Sequence, residues 1–150
     1  IQTKSKRNIL SRQKENLMAS SNLNLNAKKV DNFIKAFLKR QKSSGLLVPM
    51  KYGIISGGKK IRSTLIFSTG KIFNLKKKDL IYLCSAVECI HSYSLIHDDL
   101  PCMDNDKFRR GKLSTHAKFG ESTAVLAGNS LLTLAFEILS SKDFKVKPQI

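Results

Sequence analysis

The chain has 150 residues, 41% of them hydrophobic, with 27 Lys and Arg against 11 Asp and Glu and a formal net charge of +16. That length bounds it to one domain with a real core, and its apolar runs are interrupted too often to be read as a membrane span. The three cysteines show neither zinc spacing nor a disulfide framework, so reduced thiols are expected; the lysines are dispersed without aromatic interleaving, so no nucleic-acid partner is expected.

In chain order, residues 1–26 are polar, basic and rich in Ser and Asn, with Glu15 the only acid, and read as a disordered lead-in. The location expected is cytoplasmic; an acid-poor basic start also suits an organelle transit peptide, which keeps a plastid open as the alternative. Met18 is the first methionine, so the natural start is expected at Ile1 or Met18. From Ala27 to Arg40, apolar residues at Val30, Phe33, Ile34, Phe37 and Leu38 form the stripe of an amphipathic helix. Gly45 and Pro49 are read as punctuating a loop, and Gly53, Gly57 and Gly58 as leading into a helix over about Lys59 to Phe73. A Lys-rich turn, Lys76 to Lys78, precedes a longer helix from Asp79 to about Asp98, which Pro101 ends or kinks. A basic loop through Gly120 follows, then an apolar helix from Ser122 to Leu139. Gly128, Asn129, Ser130, Thr133 and Glu137 interrupt that helix, so it reads as core. No segment alternates with period two. The fold class expected is all-α.

Four of the eleven acids, Asp98, Asp99, Asp104 and Asp106, fall within nine residues. Like charges this dense repel, so they need a cation or a solvated loop. Asp98, Asp99 and Asp104 form a DDxxxxD pattern, followed by Arg109 and Arg110. On a regular helix, ligands five or six apart point in poorly matched directions. A break at Pro101 would let the chain turn back and bring Asp104 towards Asp98. Magnesium takes oxygen ligands and keeps waters or phosphate oxygens, and arginine forks suit a diphosphate. By charge pattern alone, a solvated acidic turn is an equal reading. His91 lies seven residues before Asp98, about 20° away on an ideal helix, so the two share a face. It is either a satisfied core histidine or a phosphate contact.

Gly57-Gly58-Lys59-Lys60-Ile61-Arg62 opens a predicted helix. A glycine pair there lets a phosphate approach backbone N–H groups at the positive end of the dipole, with Lys59 and Arg62 on neighbouring parts of one face. Gly53 to Lys59 also matches GxxxxGK, but Lys60 stands where Ser or Thr should follow, and no apolar strand precedes it, so a P-loop is rejected. By itself the stretch reads by default as a loop with two solvated cations.

The segment from Cys89 through Ser94-Leu-Ile-His-Asp-Asp-Leu-Pro-Cys-Met-Asp-Asn-Asp to Gly111, continuing through His116-Ala-Lys-Phe-Gly-Glu-Ser-Thr, closely resembles the first aspartate-rich region of trans-type prenyl (polyprenyl) diphosphate synthases. The resemblance is nearest to bacterial farnesyl and plastid geranylgeranyl types and covers about Tyr52 to Leu139. Gly57 to Ser63 resembles the family's Gly-Gly-Lys-Arg-x-Arg-Pro signature, with Ser63 in place of the proline, a change expected to affect helix-start rigidity more than charge recognition. The resemblance implies an isoprenoid-synthase-type helical bundle, of which this chain is the amino-terminal half over 27–150. It implies a prenyltransferase that condenses isopentenyl diphosphate with dimethylallyl or geranyl diphosphate, with two or three Mg2+ ions and a homodimer. Carried over by position, Asp98, Asp99 and Asp104 would be catalytic metal ligands and Arg109 would contact the allylic diphosphate. Gly58, Lys59, Arg62, His91 and Arg110 would bind isopentenyl diphosphate. Tyr93, with Ser94, would limit chain length near a farnesyl product; ordinary packing is the alternative for Tyr93.

The family carries a second aspartate-rich motif, absent through Ile150, so a piece of a longer protein or a truncated product with little activity alone is expected. Two rival readings stand beside this one: a non-catalytic homologue or partner subunit, and an HD-type metal phosphohydrolase using His91, His97, Asp98 and Asp104.

Overall fold

The computed structural model describes residues 23–55 and 57–145, and over these the protein is built from helices. Helix α1 spans 23–39, α2 Leu47–Ile54, α3 Ile61–Ile72, α4 Lys77–Asp98, α5 Thr115–Phe119 and α6 Glu121–Leu139. Most of the expected lead-in lies outside the described residues, and its last four positions, 23–26, are already helical.

The stripe on α1 is buried as its period demands: Val30, Ile34, Phe37 and Leu38 are all in the core. Phe33 meets Tyr82 of α4 edge-on at 4.7 Å, which ties α1 to the central helix. The expected loop around Pro49 is instead helix α2. Pro49 is its third residue, where an N–H would have no intrahelical acceptor, so the missing donor is harmless. Helix α3 ends on Asn74 in the left-handed region, with the Leu75 N–H returning to the Gly70 carbonyl at 2.8 Å, a Schellman closure with asparagine in glycine's role.

Helix α4 packs against α6 on one side and α3 on the other. The α4–α6 contact is close because Gly128 has no Cβ: the His97 ring fills that space, and its Nε2–H donates to the Val125 carbonyl at 3.2 Å. By length and composition α6 could also cross a bilayer. It is packed on α4 through Ala124, Ala127, Leu131, Leu134 and Ile138, the buried face of a core helix.

The expected basic loop after Pro101 holds a two-stranded antiparallel ribbon, Phe108–Arg109 against Lys112–Leu113, and then the short α5. Arg110 and Gly111 both have positive φ (52° and 74°), the geometry of a tight two-residue hairpin turn. Period-two alternation cannot reveal strands this short. Cys84 and Cys89 are buried free thiols, both pushed up to about 12 by burial, and Cys102 is free and exposed.

Candidate functional site

Helix α4 delivers two groups of side chains to neighbouring places. Upstream, His91 on α4 meets the 57–62 loop and the tip of the hairpin. Gly58, Lys59, Arg62, His91 and Arg110 all line one cavity of about 120 Å³, together with Glu88, Ser92 and Leu95. Residues far apart in sequence thus form a single cationic hollow. The Gly57 carbonyl accepts a hydrogen bond from Arg110 Nη1. Gly58 has φ 113°, a backbone conformation that favours glycine, and a Cβ there would make the Arg110 guanidinium shift. His91 lies below its ordinary value of 6.5, first because it is partly buried and then because Arg62, Arg110 and Lys60 are near, with Glu88 opposing. A neutral imidazole keeps one N–H to donate.

Downstream, α4 stops at Asp98 with Asp99 as C-cap. The chain then folds back: the Met103 and Asn105 N–H groups donate to the Leu100 carbonyl at 2.9 and 3.0 Å, and the Asp104 N–H donates to the Asp98 carbonyl at 2.9 Å. The turn at Pro101 therefore brings Asp104 to Asp98. Asp99 goes elsewhere. It is buried, and Arg109 grips both its oxygens, with Nε 2.8 Å from each and Nη2 2.5 Å from Oδ1. The bond to Asp99 raises the Arg109 guanidinium further above its already high value. The hairpin thus splits two adjacent arginines: Arg109 onto Asp99, Arg110 into the cationic cavity. A small neighbouring hollow lined by Asp99 and Arg109 shares Gly53 and Leu95 with that cavity.

Of the cluster's four acids, Asp98, Asp104 and Asp106 have no salt-bridge partner among the described residues, and Asp98 and Asp104 are the two that the turn joins. No group of three or more His, Cys, Asp or Glu side chains gathers there to hold a metal among the described residues. Two carboxylates fit magnesium, which is commonly held by one or two of them plus phosphate oxygens and water. They do not suit a site of the HD type, since His97 is turned to Val125 and His91 to the cavity. Tyr93 is half-buried, its ring edge-on to His97 at 4.5 Å, and the Ser94 hydroxyl donates back to the His91 carbonyl at 2.9 Å.

Lys60 was the residue missed. The loop ends there, not at Lys59, and helix α3 begins at Ile61. Lys60 is buried, with Nζ 3.2 Å from Asp31 and 3.9 Å from Glu88. Glu88 also accepts from the Ser63 N–H at 3.3 Å and the Ser63 hydroxyl at 2.7 Å. A proline at position 63 could make neither bond. The available signal was Glu88 itself, one helical turn before His91 on the same face.

An all-α fold that sets a two-carboxylate turn near a cationic hollow presents one group of side chains suited to a cation and another suited to an anion. The polyprenyl synthetase family pattern matches residues 44–148, and the chain belongs to that family. It is 61% identical to a farnesyl diphosphate synthase of Buchnera aphidicola over 101 residues, 67% of this chain and 36% of that protein. It is 54% identical to the farnesyl diphosphate synthase of Escherichia coli over 94 residues, 63% of this chain and 31% of that one. A crystal structure of a Zymomonas mobilis synthase described as FPP/GFPP-forming superposes with a TM-score of 0.75 at 40% identity, covering 86% of this chain and 49% of that chain. The expected helical class agrees with that fold. The chain spans about a third of the length of these curated relatives.

Proposed function

We propose that the chain supplies the diphosphate-binding half of a prenyl-elongating synthase, which joins isopentenyl diphosphate to dimethylallyl or geranyl diphosphate. The observation that carries the reading is the convergence of Gly58, Lys59, Arg62, His91 and Arg110 on one cavity beside the Asp98–Asp104 turn. Three cationic side chains and a neutral imidazole donor match the charge and hydrogen-bonding capacity of isopentenyl diphosphate. Asp98 and Asp104 would hold two or three Mg2+ ions, whose chemistry is to neutralise the departing allylic diphosphate. Arg109 fixes Asp99 and, through the hairpin, stands ready beside the allylic diphosphate. Asp99 contributes by orienting Arg109 and closing the turn.

Ionisation of the allylic C–O bond leaves a carbocation, which the isopentenyl double bond attacks. A proton is then lost, with the released diphosphate as its acceptor. No side-chain nucleophile is required. Tyr93, about 7–8 Å before Asp98 along the helix, would limit the product near farnesyl diphosphate, with Ser94 beside it. A cytoplasmic homodimer is the assembly proposed, on family membership alone.

Elongation is proposed for a polypeptide of the relatives' length that carries this chain. Given Mg2+, isopentenyl and geranyl diphosphates, it is expected to form farnesyl diphosphate. Asp98→Asn is expected to lower turnover by about 10²–10³-fold. No elongation, or undiminished turnover in Asp98→Asn, overturns the reading.

A further inference from the structure

Lys60 adjoins the cationic cavity but has a different task from Lys59 and Arg62. Its backbone is left-handed (φ 43°, ψ 53°) at the N-cap of α3, a conformation that a non-glycine residue keeps only when its surroundings impose it. The imposing contacts are ionic. Lys60 Nζ lies 3.2 Å from Asp31 Oδ1 and 3.9 Å from Glu88 Oε2, and donates to the Ile54 carbonyl at 3.5 Å. Asp31 belongs to α1, ahead of the segment that matches the family. Its Oδ1 is buried and accepts no directed hydrogen bond among the described residues, so the ion pair with Lys60 is what compensates it. Glu88 grips the same stretch from its other side, through the Ser63 N–H and hydroxyl. Two carboxylates from two different helices therefore hold the stretch Lys59 to Arg62, which contributes three cations to the cavity lining, of which Lys60 alone is in an ion pair among the described residues.

We infer that Asp31 is a positioning residue for the cationic cavity: with Glu88 it pins Lys60 in the left-handed turn, and that turn sets Lys59 and Arg62 around the space a diphosphate would occupy. Lys60 is thereby a structural cation whose charge is spent on Asp31 and Glu88, while Lys59, Arg62 and Arg110 remain for the ligand. Misplacing a binding group by about 1 Å from a distance can cost up to about 10²-fold, so the device has a measurable consequence. The inference rests on reading the cavity as a diphosphate site, and the experiment separates the two.

Inorganic pyrophosphate binding to the 150-residue chain is measured by calorimetry for wild type, Arg62→Ala, Asp31→Asn, Asp31→Glu and Phe37→Leu. Backbone amide shifts at Gly57, Gly58 and Lys59 are recorded in parallel. Asp31→Asn is expected to weaken binding about tenfold and Asp31→Glu about threefold, with the loop amides shifted in both. Phe37→Leu, a core change elsewhere on α1, is expected to lower the melting temperature and leave affinity unchanged. Wild-type affinity in Asp31→Asn alongside lost affinity in Arg62→Ala overturns the inference, and so does an equal loss of affinity in Phe37→Leu. If Asp31→Asn does not fold, Asp31→Glu decides: unchanged affinity and unmoved amides overturn it. If wild type binds no pyrophosphate, the diphosphate reading falls, and the loop amides alone decide whether Asp31 positions the turn.

Discussion

Lys59 and Lys60 are adjacent and chemically identical, and the fold gives them opposite surroundings. Both touch the cavity, but Lys59 is exposed whereas Lys60 is buried, its ammonium between Asp31 and Glu88. The same division separates Arg109 from Arg110 and Asp99 from Asp98. In the lysine and aspartate pairs one member is held in an internal ion pair and the other has none among the described residues; of the arginines, Arg109 grips Asp99 while Arg110 bonds the Gly57 carbonyl at the cavity. His91 is a residue whose surroundings produce a pH signature. Burial, then Arg62, Arg110 and Lys60, disfavour its protonated form in the folded state. The unfolded chain therefore takes up that proton at higher pH than the folded chain does. Stability tied to His91 is complete above its ordinary value and is lost as pH falls through the depressed one. Urea midpoints measured between about pH 7.5 and pH 5 should fall more steeply for wild type than for His91→Gln. Parallel slopes would show that His91 is not held neutral by its neighbours.

At the scale of elements, α4 is the beam on which both halves of the site are mounted. Its last turn is fastened by His97, whose ring occupies the space over Gly128 while Nε2–H holds the Val125 carbonyl. A Cβ at position 128 would lie 2.5 Å from His97 Nε2, closer than real contacts allow, and the ring is held by the Val125 carbonyl and by the Tyr93 ring edge-on at 4.5 Å. Gly128→Ala is expected to destabilise the fold by about 1–3 kcal/mol through overpacking, read as a lowered denaturation midpoint. Unchanged stability would mean that α4 and α6 separate without penalty. The hairpin is the second such element: its left-handed Arg110–Gly111 turn sends two neighbouring side chains to two different sites.

Across the molecule, Ile61, Leu65 and Ile72 project from one side of α3, within about 40° of each other on an ideal helix. Ile72 is 76% exposed and Phe73, just beyond it, 69%. Apolar groups this open and this clustered mark a surface that associates. The 150-residue chain is expected to enhance the fluorescence of a hydrophobic dye and to self-associate as its concentration rises, both reduced in Leu65→Ser/Ile72→Ser. A dye-silent monomer would contradict that expectation.

Much of the fold and site was legible before any coordinates. The period of Val30, Ile34, Phe37 and Leu38 determined the buried face of α1, because one helical face has one sequence spacing. The break after Asp98 and the return of Asp104 followed from Pro101 and from the poor match of carboxylates five or six apart on a regular helix. The glycine–lysine stretch, His91 and Arg110 could be grouped through family resemblance, and they do line one cavity. Local spacing could not decide which of two like neighbours turns inward. Which of Lys59 and Lys60, Asp98 and Asp99, Arg109 and Arg110 enters an internal ion pair depends on partners outside its local spacing: Asp99 and Arg109 find each other ten residues apart, and Lys60 finds Asp31 and Glu88 at longer range. Helix α2 and the ribbon were likewise hidden, the first because Pro49 falls in a first turn that needs no N–H, the second because two-residue strands have no period. Charge and periodicity are local quantities carried by the chain itself. Desolvation and ion pairing arise between distant segments, so the tertiary structure alone assigned those side chains.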